Sequence, residues 1–121
     1  MKTAFILFAH GSSVASANDA VRAVARSLAD TEAAFLEQGR PSLEEAVATL
    51  VAQGATRIAV IPYFLTLGLH MQRDLPRIIS ELAGIYPDVE IRVTPPLDGH
   101  PALAGIVRDR AAQALPEKEP T

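Results

Sequence analysis

Cysteine and tryptophan are absent from this chain of 121 residues, and aromatic residues make up only 5% of it. Without cysteine the chain has no disulfide, no thiolate metal ligand and no cysteine nucleophile. So few aromatic residues provide no stacking surface for single-stranded nucleic acid. The net charge of −3 also lacks the basic excess that is typical of nucleic-acid binding. We therefore expect no nucleic-acid partner.

No apolar run approaches the roughly 20 residues that a membrane-spanning helix needs. The run at residues 3–9 is too short, and no signal-peptide cleavage pattern follows it. We expect a soluble cytoplasmic protein without a membrane partner. Hydrophobic residues nonetheless form 49% of the chain, which is enough for one folded core. We expect a single domain over residues 1–115, followed by a flexible tail at residues 116–121.

Short apolar segments alternate with amphipathic segments along the chain, which predicts four strands and four helices. The order βαβαβαβα indicates an α/β fold, a three-layer sandwich around a four-stranded parallel sheet of order 2-1-3-4. The fourth strand alternates polar and apolar residues, which favours an edge position. The strands are predicted at residues 3–9, 31–36, 56–62 and 89–94.

Local patterns predict where the helices begin. Residues 16–19 (SAND) resemble an acidic capping box, and Ser42 with Glu45 forms a stronger one that opens the second helix. The sequence DLP at residues 74–76 predicts the start of the third helix, which leaves residues 63–73 as a loop. In the fourth helix the apolar spacing predicts an inward face made of Leu103, Ile106, Val107 and Ala111.

All three histidines are predicted at the carboxyl edge of the sheet, where open parallel sheets bind their ligands. His10 ends the first strand, and Glu37 directly follows the second. His70 lies in the predicted loop after the third strand, and His100 in the loop after the fourth. Imidazole suits divalent cobalt, nickel, iron and zinc, and two histidines with a carboxylate leave positions open for a substrate. The spacing follows no contiguous metal motif, so ordinary surface roles for these side chains stay an alternative.

The first loop also carries residues that fit other chemistries. Gly11 and Ser12 precede a helix, where backbone N–H groups bind anions, but the Walker lysine and the GxGxxG spacing are missing. No GxSxG elbow supports Ser12 or Ser13 as a nucleophile, and no Asp ends the first or third strand as a receiver phosphoacceptor would. Because the glycine and serine before a helix still fit an anion, a flavodoxin-like anion-binding domain remains an alternative.

Several segments taken together resemble the small sirohydrochlorin chelatases of the CbiX/SirB type, which are class II chelatases. The resemblance extends to about residue 114 and is specific only in combination, since each segment alone is short. The matching segments are LFAHGS at 7–12, AFLE at 34–37, PSL at 41–43, PYFL at 62–65, GLH at 68–70, RDLP at 73–76 and PLDGHP at 96–101.

The resemblance implies a lyase-type chelatase that inserts a divalent metal into the tetrapyrrole sirohydrochlorin without ATP. The expected metal is Co²⁺, for cobalamin synthesis, with Fe²⁺ for siroheme and Ni²⁺ as alternatives. The metal is a substrate, and no nucleotide is expected. A non-enzymatic metal or tetrapyrrole carrier on the same fold remains an alternative, as does a degenerate member with a structural or partner role.

The resemblance also implies the residues of the site. His10 and His70 correspond to the histidines that bind the metal and assist proton removal, and Glu37 belongs to the same site. Sirohydrochlorin is rich in carboxylates, so positive charge is expected in the cleft, with Arg73 and Arg40 as candidates by loop position. The further expected contacts are the substrate-binding residues Gly11 and Ser12 and a third metal ligand, His100.

Two features of length bear on this expectation. Residues 29–34 are abbreviated relative to the family, so the second strand is expected to be short or displaced, and the position of Glu37 depends on it. Longer class II chelatases resemble two such units fused in one chain. A single unit offers one wall to a broad, flat tetrapyrrole. We therefore expect a homodimer with the site at the subunit interface.

Overall fold

The computed structural model describes residues 1–116 and contains the four strands and four helices in the predicted order. All strand pairs are parallel, and the order across the sheet is β2-β1-β3-β4, which confirms the predicted α/β fold. Of the predicted tail, residues 117–121 lie outside the described residues. The elements are β1 (Lys2–Ala9), α1 (Ala15–Arg26), β2 (Thr31–Phe35), α2 (Leu43–Ala52), β3 (Ala55–Pro62), α3 (Leu69–Ile85), β4 (Glu90–Val93) and α4 (Ala102–Ala114).

Helices pack on both faces of the sheet, which explains why β1 is apolar on both sides. On one face α2 and α3 cover the sheet and form the larger core. On the other face α1 covers β1 and β2 and forms a smaller core around Leu7, Ala33 and Phe35. The larger core contains the fully buried side chains of Ile6, Phe8, Val47, Val60 and Leu75.

β2 is short, as the abbreviated segment before it predicted, but it is not displaced. Its five residues pair in regular parallel register with the second half of β1, from Phe5 opposite Thr31 to Ala9 opposite Phe35. The turn before it is closed by Phe5 N–H, which donates to the Asp30 carbonyl at 2.8 Å. The residue that follows β2 therefore lies beside the end of β1.

Ser42 and Glu45 form the predicted capping box of α2. Ser42 Oγ accepts a hydrogen bond from Glu45 N–H at 3.1 Å, and Glu45 Oε1 accepts one from Ser42 N–H at 3.1 Å. The other two predicted helix starts are wrong. α1 begins at Ala15, so Ser16 lies inside its first turn and no side chain caps the helix. Asp19, the other end of the predicted box, accepts from the Arg22 guanidinium at 2.9 Å instead.

α3 begins at Leu69, five residues before the predicted start at Asp74. Pro76 therefore lies inside the helix, where it lacks the N–H that would continue the backbone ladder. The buried side chains of Leu75, Ile79 and Leu82 hold that turn on the sheet and outweigh the local preference of proline. His70 consequently lies in the first turn of α3 and not in a loop.

The predicted inward face of α4 is also wrong. No residue of α4 is buried, and the side chains of Ile106 and Val107 are 53% and 66% exposed. No other element within residues 1–116 packs extensively against this helix. The start of α4 is fixed by the preceding loop, because Leu97 N–H donates to the Phe64 carbonyl at 2.9 Å and Asp98 N–H to the next carbonyl at 2.8 Å. Across the described part of the chain, no helix combines the length and apolarity of a membrane span.

Candidate functional site

The loops after β1 and β2 bring His10 and Glu37 together at the carboxyl edge of the sheet. Leu36 N–H donates to the Ala9 carbonyl at 2.9 Å and Glu37 N–H to the His10 carbonyl at 3.0 Å, so the β1–β2 ladder continues past both strands. The two side chains face each other, with His10 Nε2 at 3.5 Å from Glu37 Oε1. Both are more than half exposed, at 58% and 57%, so a ligand has access to the pair.

The His10 ring lies between two acceptor oxygens. Its Nδ1 lies 3.3 Å from the Gly11 carbonyl oxygen, and its Nε2 faces the Glu37 carboxylate. A neutral ring donates from only one nitrogen, so it satisfies one of these acceptors. The other nitrogen has a lone pair that can bind a metal.

Gly11 allows the two loops to approach so closely. Its φ is +93°, a backbone conformation that favours glycine, and an added Cβ would lie 1.7 Å from the Glu37 carbonyl oxygen. No side chain fits between these loops. The Gly11 of the expected substrate contacts therefore has a packing role that the sequence did not reveal.

Asn18 ties the same two loops together, and sequence reasoning missed this role. Its side chain is buried: Nδ2 donates to the Ser12 carbonyl at 2.9 Å and to the Gln38 carbonyl at 2.8 Å, and Oδ1 accepts from Ser12 N–H at 2.9 Å. One available indication was its place on the inward stripe of α1, three residues before Val21 and seven before Ala25. A polar residue on such a stripe requires a partner.

His70 lines a cavity of about 480 Å³ that opens beside the His10–Glu37 pair. Phe64 forms part of its wall and meets the His10 ring edge to face, with ring centroids 6.4 Å apart. The volume is within the range of small-molecule sites, whose walls are mostly apolar with few polar groups. The structure therefore brings three of the expected residues to one cavity, which is lined by His10, Leu36, Glu37, Phe64, Gly68, Leu69, His70, Met71 and Asp74.

Asp74 also lines the cavity, and the sequence did not reveal this because the residue was assigned to a helix start. It lies four residues after His70 on α3, so both side chains project from the same side of the helix. Its Oδ1 is 3.7 Å from the Arg77 guanidinium, a long ion pair at the cavity margin. Asp74 adds a carboxylate on the side of the cavity opposite Glu37.

His100 does not line this cavity. It precedes α4, and its Nδ1 accepts a hydrogen bond from Ala102 N–H at 3.0 Å. Neutral His100 then carries its proton on Nε2 and has no free ring lone pair in this conformation. It borders a separate depression formed by Ile61 and residues 94–101. Arg73 is exposed on α3, one turn after His70, and is not among the residues that line the cavity.

Arg40 and Ser12 lie near the site but are engaged locally. The Arg40 guanidinium donates to Glu45 Oε2 at 2.6 Å, and this pair raises the pKa of Arg40 and lowers the pKa of Glu45. Ser12 Oγ accepts a hydrogen bond from Val14 N–H at 3.0 Å and helps to shape the first loop. Neither side chain is among those that line the cavity.

Imidazole nitrogens and carboxylate oxygens are the candidate metal donors of the cavity, a set that suits borderline divalent ions. Within residues 1–116, no three histidine or acidic side chains converge as a ready-made metal site. An ion held by the residues present would keep most of its coordination positions open to water or to another ligand.

Fold and site together define an α/β protein with an imidazole–carboxylate pair and a second histidine at the carboxyl edge of a four-stranded parallel sheet. The sequence model of the CbiX family matches residues 4–114, which is nearly the whole chain. The chain therefore belongs to the CbiX family, as its motifs predicted.

Curated relatives include both cobalt and iron chelatases. The sirohydrochlorin cobaltochelatase of Methanothermobacter thermautotrophicus is 32% identical over 134 residues, which covers 94% of each chain. The chloroplastic sirohydrochlorin ferrochelatase of Arabidopsis thaliana is 34% identical over 88 residues, which covers 73% of this chain and 39% of the relative. The chain thus spans about two-fifths of the plant enzyme but almost all of the archaeal one.

Solved structures agree with this comparison. A CbiX protein from Marinobacter aquaeolei has a TM-score of 0.84 at 31% identity, with 94% of this chain and 98% of that chain covered. The sirohydrochlorin chelatase SirB from Bacillus subtilis subspecies spizizenii, in complex with cobalt, also has a TM-score of 0.84, at 30% identity. Here 93% of this chain covers 51% of the other, so one such chain corresponds to about half of SirB.

Proposed function

We propose that this protein is a sirohydrochlorin chelatase that inserts a divalent metal into the tetrapyrrole without ATP. The observation that carries the proposal is the His10–Glu37 pair, 3.5 Å apart, in the cavity that His70 also lines. Membership of the CbiX family supports the substrate class, since the relatives described above are named for sirohydrochlorin and for cobalt or iron.

The chemistry of insertion needs the groups that this cavity contains. The divalent ion must lose water ligands, and two pyrrole N–H groups must lose their protons as the metal–nitrogen bonds form. A neutral imidazole, at His10 or at His70, binds the ion while leaving coordination positions for the pyrrole nitrogens. Glu37, next to His10, accepts the released protons and passes them to solvent. The exchange of one M²⁺ for two H⁺ balances without an oxidant or reductant.

Co²⁺ is the metal that we propose first, for cobalamin synthesis, with Fe²⁺ for siroheme and Ni²⁺ as alternatives. The support for cobalt is the nearly complete coverage of the archaeal cobaltochelatase. The donors themselves do not select cobalt, because affinity for nitrogen and oxygen donors rises along the first-row series and availability decides occupancy.

Further residues belong to the same proposal. Arg73, exposed one turn after His70, is suited to meet the carboxylates of the substrate. Gly11 and Ser12, which directly follow His10 in the first loop, are proposed as further substrate contacts. His100 becomes a metal ligand when Ala102 N–H releases its Nδ1. A homodimer in the cytoplasm, with the cavity facing the partner subunit, completes the proposal, because a single sheet edge leaves one side of the cavity open.

A turnover assay tests the function. With Co²⁺ and sirohydrochlorin in excess over protein, we expect the absorbance of the metallated product to grow through many equivalents. The His10→Ala and His70→Ala variants should lose this activity, while Glu44→Gln, exposed on α2 and away from the cavity, should retain it. Uptake that stops at one equivalent would indicate a carrier instead. Ligand binding that survives both histidine substitutions would favour the anion-binding alternative.

A further inference from the structure

The cavity wall formed by α3 has an imidazole and a carboxylate that make no hydrogen bond within residues 1–116. These are the side chains of His70 and Asp74, which lie four residues apart. The ion partner of Asp74 is the Arg77 guanidinium, which is 3.7 Å from Asp74 Oδ1 but only 3.2 Å from Glu81 Oε1. The Asp74 side chain is 43% exposed, so its oxygens are open to a ligand in the cavity.

The spacing of His70 and Asp74 allows both side chains to bind the same ion. Residues four apart lie one above the other on a helix, with Cβ atoms about 5–6 Å apart. Metal bonds to imidazole nitrogen and to carboxylate oxygen are both about 2.0–2.2 Å long, so rotation of the two side chains brings their donors to one ion. The same spacing places two histidines on one zinc ion in the HExxH helix. Two protein donors leave the other coordination positions to water and then to pyrrole nitrogens.

The charge at the start of α3 makes a carboxylate necessary at this wall. α3 begins at Leu69 and has no acidic residue in its first turn. The amino end of a helix has about half a positive charge from its free N–H groups, which disfavours a cation beside His70. Asp74 is the first acidic residue of the helix, and its negative charge offsets this effect. An ion at His70 is therefore bound more tightly with the Asp74 carboxylate beside it than without it.

The two carboxylates of the cavity lie on different walls and suit different tasks. Glu37 follows β2 and lies beside His10, whereas Asp74 shares α3 with His70. Because no three histidine or acidic side chains converge within residues 1–116, an ion bound at one wall leaves the carboxylate of the other wall uncoordinated. A carboxylate that binds a dication is a poor proton acceptor, since the ion and the proton compete for the same oxygens. Ion binding and proton transfer are best served by separate carboxylates.

We propose that Asp74 is a metal ligand that binds the incoming divalent ion together with His70, while Glu37 stays free to accept the pyrrole protons. This role rests on the proposed function and divides its work between the two walls. The hydrated ion exchanges two water molecules for the His70 nitrogen and an Asp74 oxygen. It then exchanges its remaining ligands for pyrrole nitrogens, whose two protons leave through Glu37 to solvent.

Co²⁺ binding without any tetrapyrrole tests this ligand directly. In calorimetric titrations of the full chain with Co²⁺ alone, we expect Asp74→Asn to weaken the affinity by about 10–100-fold. Asp74→Glu should recover part of the loss, because it keeps the charge. Glu81→Gln, exposed on the same helix and paired with the same Arg77, is the matched control and should bind like the wild-type chain. Affinity of Asp74→Asn within twofold of the wild-type value, or a wild-type chain that binds no Co²⁺, would overturn the proposal.

The ion pair with Arg77 allows a change in the opposite direction. Because the guanidinium competes with the metal ion for Asp74, Arg77→Gln should tighten Co²⁺ binding by about two- to fivefold, the strength of an exposed ion pair. If Asp74 only shaped the cavity, loss of its ion partner would not raise the affinity. Unchanged or weaker binding in Arg77→Gln would therefore contradict a ligand role.

Steady-state turnover separates the tasks of the two carboxylates. With Co²⁺ varied at saturating sirohydrochlorin, Asp74→Asn should raise the KM for Co²⁺ with little change in kcat, whereas Glu37→Gln should lower kcat. A lower kcat with an unchanged KM for Co²⁺ in Asp74→Asn would overturn the assignment of Asp74 to ion binding. A chain that binds Co²⁺ through Asp74 but never turns over would refute the proposed function and leave the ligand in place.

Discussion

At the scale of residues, the site depends on side chains that hold the loops as much as on those that do chemistry. His10 and Glu37 lie on two adjacent loops, and their separation is set by backbone hydrogen bonds and by the buried amide of Asn18. The close approach of the loops needs the missing side chain of Gly11. Substitution of a reacting group should lower turnover, whereas substitution of a supporting group should lower the free energy of unfolding.

Glu37→Gln removes the carboxylate that we assign to proton transfer and keeps the shape of the side chain. We expect turnover to fall by about 10²-fold, the lower end of what a general base contributes, while the backbone ladder to His10 stays intact. The rate of cobalt insertion measures the effect, and the circular dichroism spectrum checks the fold. Turnover within twofold of the wild-type rate would remove Glu37 from the mechanism.

Asn18→Ala leaves the Ser12 carbonyl, the Gln38 carbonyl and Ser12 N–H without their partner in a buried position. We expect the free energy of unfolding to fall by about 2–3 kcal/mol, since each unsatisfied buried group costs about 1–3 kcal/mol before water relieves it. Urea unfolding measures the change.

Ser16→Ala is the matched control for this substitution, because Ser16 is exposed in the first turn of α1 and makes no cap. Its free energy of unfolding should stay within about 0.5 kcal/mol of the wild-type value. If Ser16→Ala cost about 1 kcal/mol, Ser16 would be acting as an N-cap after all.

At the scale of elements, the strands followed from the sequence better than the helix ends did. Apolar runs on β1 and β3 predicted a buried parallel sheet, and its order placed His10, Glu37 and His70 at one edge. The start of α3 was not predicted correctly, because Pro76 resembles a proline in the first turn of a helix. Only the packing of α3 on the sheet shows that Pro76 lies in the helix interior. Asp74 was therefore missed as a cavity residue.

The inward face predicted for α4 was wrong for a different physical reason. Periodicity shows that a helix has an apolar stripe, but it contains no information about which chain the stripe contacts. The stripe around Ile106 and Val107 is present in the sequence, and it is exposed in the described part of the chain. The hydrogen bonds from Asn18 to two loops could not be predicted from the sequence either. Their acceptors are backbone carbonyls, which every residue has.

The capping box of α2 predicts a pH dependence. The Arg40 guanidinium, with the backbone N–H of Ser42, lowers the pKa of Glu45 in the folded chain. The stabilisation from ionised Glu45 is therefore complete above its unfolded pKa, about 4.3, and is lost as the pH falls through the lower folded value.

Unfolding of the wild-type chain and of Glu45→Gln at several pH values measures this effect. We expect the wild-type chain to lose its advantage over the variant as the pH falls below about 4. Glu44→Gln, the exposed neighbour, should show no comparable change. A difference between the wild-type chain and Glu45→Gln that stays constant from neutral to acid pH would contradict the assignment.

At the scale of the whole molecule, the chain corresponds to about half of SirB and to nearly all of an archaeal cobaltochelatase. A single sheet edge forms an open cavity, and α4 has no surface to cover within the described residues. Both features support the proposal that the working unit contains more than one copy.

Dilution tests this inference directly. If two copies form the working unit, the turnover per chain should fall as the protein is diluted below the dissociation constant of the dimer, and the melting temperature should fall with it. A turnover per chain that stays constant down to a concentration where sedimentation detects only monomer would contradict a shared site.

The continued ladder between the ends of β1 and β2 has a consequence for how this site changes over evolutionary time. Neighbouring strands keep a spacing of about 4.8 Å whatever side chains they carry. The backbone therefore holds positions 10 and 37 side by side, and the side chains at these positions can be replaced without a change in the sheet. Glu37→Asp, for example, draws the carboxylate back by one methylene and enlarges the opening beside His10. Under the proposed function, single substitutions at these two positions change the groups that are offered to the metal while the backbone spacing of the two loops stays unchanged.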